Sequence, residues 1–463
     1  MPSTRRPLFR GLNARQWLNL IWAAFFVFYI AFGIRYVLSG GLCDYMGTDY
    51  RAFLASAKIA HERGFAQVYN LETQTEYQRV LYEQCPSGPT RTPYVVVPMP
   101  YLPAFVLLFM PLLSLDFVPA LCIWITVNVV ILVLYMIRFV KALGRGDGRD
   151  ILFQLIVCVP FFSNMFLGQV NGWLLICLGE FFLATMRAGS AGVDDASPRP
   201  WFPGHGNPGF SGFCSRGLHA FVEGVLKPAG RLLRDREFHG GMWLAGLLLK
   251  PQTLIILLPG LLLGRRFKAL AGFVVTSLLI TGVSLSLAGG YGIGDLVLLI
   301  LNYVIGLPTN APEAMMNWRG LAVNLGALVP HELAWGIAIF GMVLTVAGGI
   351  SFWVRPPAIS STRFGIAMLG TYAATCAATW HSHVHMVLPL IPLVLFLYAR
   401  RRLPWEPLYL WLFGPAMIFP VALVVIPEFA YNLAGVSMLV LNLYLLAWAL
   451  QAFWRTRNRA VSP

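Results

Sequence analysis

The sequence predicts an all-α polytopic membrane protein, and three observations carry that prediction. Apolar runs long enough to span a bilayer recur along the chain, basic residues fall between them, and only 12% of the 463 residues are charged against 57% hydrophobic. A soluble domain carries about 25% charge, and about 20 apolar residues cross a hydrocarbon core. Mean hydropathy is +0.68. These values exclude a secreted domain, a cytosolic enzyme and a disordered chain.

The elements follow in order. Residues 17–38 form an apolar run longer than a signal-peptide core, and no small-residue cleavage site closes it, so it reads as the first transmembrane helix. Residues 39–117 read as the first extracytoplasmic loop, with embedded helices. Within it, the run 98–115 contains Pro98, Pro100, Pro103 and Pro111, which argue against one straight helix. A crossing there would also put the basic loop 138–149 outside, against the positive-inside rule. Crossings follow at 118–140, 151–166 and 171–187. Residues 188–240 are rich in Gly and Pro and read as a flexible cytoplasmic loop. The run 241–263 has basic residues on both sides and the pair Lys250-Pro251 in its middle, which suits a short re-entrant hairpin. After a run at 267–288, residues 289–331 read as a second large extracytoplasmic segment. The last runs lie at 332–353, 363–380, 384–399, 407–426 and 433–453. The total is ten crossings, or twelve if the hairpin counts as two, in a single transmembrane domain over 1–463 with both termini cytoplasmic.

The formal charge of +14 would raise nucleic acid as a partner in a soluble protein. Here the basic groups, such as Arg138, Lys141 and Arg145 or Arg400, Arg401 and Arg402, sit between apolar runs. They read as orientation signals with an attraction for membrane lipids, not as a nucleic-acid surface. Seven cysteines show no zinc, redox or haem spacing. Cys43 and Cys85 share one outer loop, where a disulfide is open. Gly144-Arg145-Gly146 lies between membrane helices and is not a nucleotide fingerprint.

Groups suited to chemistry gather on the outer side. Asp49 follows a glycine turn at the start of an amphipathic helix; it either caps that helix or acts as a general base towards a hydroxyl. Asp44 is the weaker acid, with nothing around it to fix its place. His381, His383 and His385 alternate, so an extended turn would aim all three one way. They suit a phosphate, an interfacial hydrogen-bonded cluster or, least of all, a metal, since the spacing is not the helical zinc motif. Lys250 is a charge inside an apolar run, a site residue or a snorkelling lysine. Gln169 and Asn171 flank a tight outer link, able to bond a sugar or to satisfy helix ends. Arg319, near Asn317, Trp318 and Asn324, has the planar fork for phosphate oxygens or for lipid headgroups. Glu180, within a helix, either serves a site or pairs across the bundle.

Five stretches, in order, carry a family resemblance: Gly47-Thr-Asp-Tyr-Arg-Ala-Phe, Gly64-Phe-Ala-Gln-Val-Tyr, Gly168-Gln-Val-Asn, Lys250-Pro-Gln and His381-Ser-His-Val-His. With them the chain resembles the family 87 glycosyltransferases of the GT-C superfamily. The resemblance implies a GT-C fold and transfer of a hexose, mannose by analogy, from a polyprenyl-phosphate sugar donor to a lipid or glycolipid acceptor. It implies that Asp49, in the first outer loop, deprotonates the acceptor hydroxyl. Gln169, Asn171, Lys250, Arg319, His381, His383 and His385 become substrate-binding candidates, with no metal or other cofactor. The Tyr-Pro-Pro element usual in the family is replaced by Val97-Pro98-Met99-Pro100-Tyr101. The competing class is a lipid-linked sugar flippase or other secondary transporter. That class favours ionisable residues near the midplane and paired repeats. Here only Lys250 and Glu180 stand at depth, and no internal repeat is visible.

Overall fold

The computed structural model describes residues 14–38, 46–85, 94–143, 151–156, 158–194, 235–305, 311–400, 410–411, 418–419, 421–422 and 425–458. Over these residues the protein is all-α. Five helices are long and apolar enough to cross a membrane: Phe117–Ala142, Asn171–Gly189, Phe267–Asn302, His331–Val354 and Ala430–Arg455. At 1.5 Å per residue, a 24-residue helix such as His331–Val354 reaches about 36 Å, more than the ~30 Å of a hydrocarbon core. Shorter apolar helices include Asn19–Arg35 and Leu390–Ala399. Most of the connector expected at 188–240, most of the run at 407–426, and both Cys43 and Asp44 lie outside the described residues. Cys85 is disulfide-bonded.

Packing separates lipid-facing from central helices. Leu278, Leu279, Phe340 and Val343 stand exposed on the long spans, as side chains facing acyl chains do. In contrast, Thr362–Ala378 is buried on every face from Phe364 to Ala378. Its small residues let neighbours close in: Gly370 lies against Phe352, and Ala374 against Gly349. The stack of Phe364 on Phe182 (5.8 Å) and the edge contact of Phe182 with Phe396 (4.8 Å) tie this helix to two others. Glu180 pairs across the bundle: Arg138 donates to both its oxygens, at 2.6 and 3.0 Å.

Three segments position the site. The first, the region expected above to be outer, holds the helices Thr48–Glu62 and Leu71–Glu83 and a short helical stretch, Pro103–Val106 continuing to Leu112, in place of a straight span. The second segment enters as the helix Arg236–Leu244, breaks at Lys250 (φ −140°, ψ 80°) and returns as Leu257–Leu263. Pro251 explains the break, since its ring excludes helical geometry from the residue before it. Asp235 caps the entering helix, accepting from the backbone N–H groups of Glu237 (2.9 Å) and Phe238 (3.3 Å), and pairs with Lys268 Nζ at 2.6 Å. Entry and exit therefore meet at one place.

The third segment departs from the run expected at 267–288. The helix that begins at Phe267 breaks at Gly289 (φ 65°, ψ 178°), then resumes and ends at Ile305. Part of the region read as an outer segment is therefore helical. Near the break, Ser284 Oγ accepts from Ala104 N–H at 3.2 Å, and Gly292 lies against Ala66. The helix thus closes one side of the first outer region.

Candidate active site

Two glycines bring Asp49 to its partner. Gly47, at φ 73°, turns the chain into the Thr48–Glu62 helix, and its N–H donates to the Phe166 carbonyl at 2.8 Å. Gly168, at φ 70°, ends the Val159–Leu167 helix against Tyr50; a Cβ there would stand 2.5 Å from the Tyr50 Cβ. Only glycine adopts this backbone cheaply and leaves that space. Trp124 Nε1 donates to the Gly168 carbonyl at 2.9 Å and stacks on Tyr50 at 5.9 Å, which fixes the contact. As a result Gln169 Nε2 donates to Asp49 Oδ2 at 2.6 Å. Asp49 is not a cap: the helix has Gly47 at its N-cap position and no side-chain cap. Its carboxylate sits in the first turn, where the helix dipole favours negative charge.

Asp49 opens on a cavity of about 980 Å³, with Gln169, Lys250, His381, His383 and His385 in the same wall. Lys250 reaches it from the tip of the hairpin and is only 5% exposed. His383 is extended (φ −106°, ψ 165°), and the imidazoles follow one another at 4.9 and 5.8 Å. The extended backbone ends at His383, and His385 lies in the short 3-10 helix Val384–Val387; all three imidazoles still line one cavity. Burial pushes the Asp49 carboxyl above its ordinary range, opposed by the Gln169 hydrogen bond and by the charges of Lys250 and Arg51. Burial also holds His381 and His385 well below the usual imidazole value. His383, Lys250 and Arg319 add to the effect at His381, and Lys250, His383 and His381 at His385. Lys250, outside the five spanning helices, is lowered by its own burial, which Asp49 opposes. Among the described residues no group of three or more His, Cys, Asp or Glu is arranged to hold a metal ion.

Two expected residues lie off the cavity. Asn171 is fully buried behind Gln169. Arg319 holds its guanidinium 4.9 Å from the Trp380 ring centre, so Trp380 lines the cavity and Arg319 does not. Asn317 and Asn324 are structural. Asn317 caps the Trp318–Leu325 helix and donates to the Thr379 carbonyl at 2.8 Å; Asn324 donates to the Glu313 carbonyl at 2.8 Å.

Reading the sequence missed several lining residues. Arg51 was quoted only within a motif, yet it lines the cavity, donates to the Val95 carbonyl at 3.0 Å and lies 5.2 and 5.3 Å from the Tyr82 and Tyr94 rings. Its signal was a charge inside a run that is buried from Tyr50 to Ala57. Glu313, Glu428 and Asn432 also line the cavity, brought there by elements far apart in the chain, with no local pattern to announce them. A second cavity, about 380 Å³ and lined by Tyr29, Ile34, Met46, Phe162 and other apolar side chains, shares Phe166 with the first.

Residues 100–201 match the sequence profile of glycosyltransferase family 87, a family of polyprenyl-phosphate-sugar-dependent glycosyltransferases. The matched stretch carries Trp124, Gln169 and Asn171; Asp49, Lys250 and the histidines lie outside it. No curated protein and no solved structure matches the chain.

Proposed function

We propose that this multi-pass membrane protein transfers a hexose, mannose by family resemblance, from a polyprenyl-phosphate sugar to a hydroxyl of a lipid or glycolipid, with inversion at the anomeric carbon. The observation that carries this reading is a single cavity that presents one half-buried carboxylate, Asp49, together with Lys250 and three imidazoles. Asp49 takes the proton of the acceptor hydroxyl, and the oxygen attacks the anomeric carbon. The bond from that carbon to the phosphate oxygen breaks, and the phosphate leaves with the electron pair. Lys250 offsets the charge that grows on the phosphate, and His383 and His385 donate hydrogen bonds to it. Preorganised groups of this kind are the largest single contribution to most such reactions. Attack opposite the leaving group needs one base, and phosphate leaves without a strong acid. The apolar second cavity beside Phe166 suits the hydrocarbon part of a lipid substrate.

We place the cavity on the extracytoplasmic face, in a GT-C arrangement with both termini cytoplasmic, on the distribution of basic residues. The test is sugar transfer in nanodiscs, with a panel of polyprenyl-phosphate hexoses and a host lipid extract as acceptor. Wild type is expected to form product from at least one donor, and Asp49→Asn to bind that donor without turning it over. Transfer by Asp49→Asn at the wild-type rate removes Asp49 from the chemistry. If wild type transfers nothing but moves labelled lipid between leaflets, the flippase reading replaces this one.

A further inference from the structure

The turn behind Asp49 contains three amides whose orientations are linked. The backbone N–H of Asn171 donates to Asn164 Oδ1 at 3.1 Å. A backbone N–H only donates, so the Asn164 atom facing it is the carbonyl oxygen. Asn171 Nδ2 donates to the same oxygen at 3.0 Å and, at 3.5 Å, to Gln169 Oε1. With its oxygen turned inward, Gln169 presents its NH2 group to Asp49 at 2.6 Å. The other end of Asn164 fits the same sense, since its Nδ2 donates to the Gln169 carbonyl at 3.3 Å. Asn164 and Asn171 are both fully buried. Asn171 Oδ1, also buried, has no hydrogen-bond partner among the described residues. An unmatched buried acceptor costs about 1–3 kcal/mol. Flipping the Asn171 amide would place that oxygen against two others, so the turn keeps the unmatched acceptor.

We propose that Asn164 and Asn171 are positioning residues for the transfer reaction: they set the direction of an amide relay that turns the Gln169 NH2 group towards Asp49 and keeps this half-buried base ionised. The proposal rests on the reading of Asp49 as the acceptor base. Without the relay the Gln169 side chain is free to rotate and present Oε1 to the carboxylate, which favours the protonated acid. The other charged groups acting on Asp49 are Lys250, from the hairpin, and Arg51, from its own helix. Three histidines, Glu313 and Glu428 share the cavity. The matched family segment contains all three amides, but nothing in its pattern gives their direction.

The test is the pH profile of kcat/KM for the full chain in nanodiscs. Asn171→Ala removes only the middle donor and leaves both Asn164 contacts with the backbone in place. Its acid limb is expected about one pH unit above wild type, a tenfold loss of rate on the limb, with a far smaller loss on the plateau. An acid limb at the wild-type pH, with or without a uniform fall in rate, overturns the proposal. Thermal unfolding in the same nanodiscs checks folding. If Asn171→Ala does not fold, Asn164→Leu, which removes the oxygen shared by both Asn171 donors, is read in the same way. Asp49→Asn separates the two layers of inference. An unshifted limb beside an inactive Asp49→Asn defeats the relay alone, and an active Asp49→Asn defeats the base assignment on which the relay depends.

Discussion

Replacing Lys250 by methionine tests the electrostatics of the cavity most directly. The other cations there are already engaged or set back. Arg51 is held by the Val95 carbonyl and two tyrosine rings, and Arg319 is held on the Trp380 ring and does not line the cavity. Burial favours neutral His381 and His385. Lys250 is therefore the main positive charge available to a departing phosphate. Removing one preorganised stabilising group from such a site costs about a hundredfold to a thousandfold in kcat, roughly 3–4 kcal/mol of barrier. Methionine is close in length and apolar, so the hairpin tip keeps its packing. Taking out a cation that is only 5% exposed leaves stability unchanged or raises it. The assay is single-turnover transfer at saturating donor, with thermal unfolding measured in the same nanodiscs. The combination expected is slow chemistry with an undiminished melting temperature. A Lys250→Met protein that transfers at the wild-type rate refutes the assignment of the leaving-group charge. A protein that is both slow and unstable shows that Lys250 holds the break together.

Other outcomes follow from the same geometry. The rate is expected to rise with pH through the raised Asp49 pKa, because the base is the carboxylate; the acid limb then lies above the ordinary 3.8. Lys250 loses its charge as pH rises through its lowered pKa, so the alkaline limb of the same rate profile lies below 10.5. Gly168→Ala forces a left-handed residue into contact with Tyr50 and should lower unfolding stability by roughly 2–4 kcal/mol, measured by denaturant titration. Arg138→Met leaves Glu180 without its partner, a loss of roughly 1–2 kcal/mol between the values for surface and buried pairs. Adding Glu180→Gln in the same background should recover part of that loss in the same titration.

Five of the expected spans were legible because a long apolar helix leaves a one-dimensional record, whereas the run at 151–166 is two short helices, Leu152–Ile156 and Val159–Leu167. Lys250-Pro251 announced its break, since a proline and a charge have no other reason to interrupt an apolar run. Asp49 was legible because a glycine turn, an acid and an amphipathic helix lie within a few residues. Gly289 was not legible as a mere kink, because Gly289 and Gly290 in an apolar stretch read equally well as the end of a helix. Nor was the place of Arg319. Its fork suits phosphate anywhere, and only the three-dimensional contact shows it on the Trp380 ring and off the cavity lining. Glu313 and Glu428 reach the wall from elements more than a hundred residues apart, so no local window contains their relation. Asn164 lies in an apolar helix, where a single asparagine reads as a packed polar residue; its meaning depends on which atom of it faces Asn171.

The ion pair between Asp235 and Lys268 has a consequence for biogenesis. During insertion each helix that crosses fully reverses the sidedness of everything made after it. In the topology proposed above, the stretch from 236 to 267 leaves sidedness unchanged, its ends returning to one place. The whole C-terminal half, including the three histidines, therefore takes its orientation from a break centred on Pro251. A leucine there would allow a continuous apolar helix across that stretch, and the insertion machinery would face one crossing instead of a return. The histidines and Asp49 would then be delivered to opposite faces of the membrane. In that topology a proline in the cavity wall decides whether the two halves of the cavity are ever on the same side.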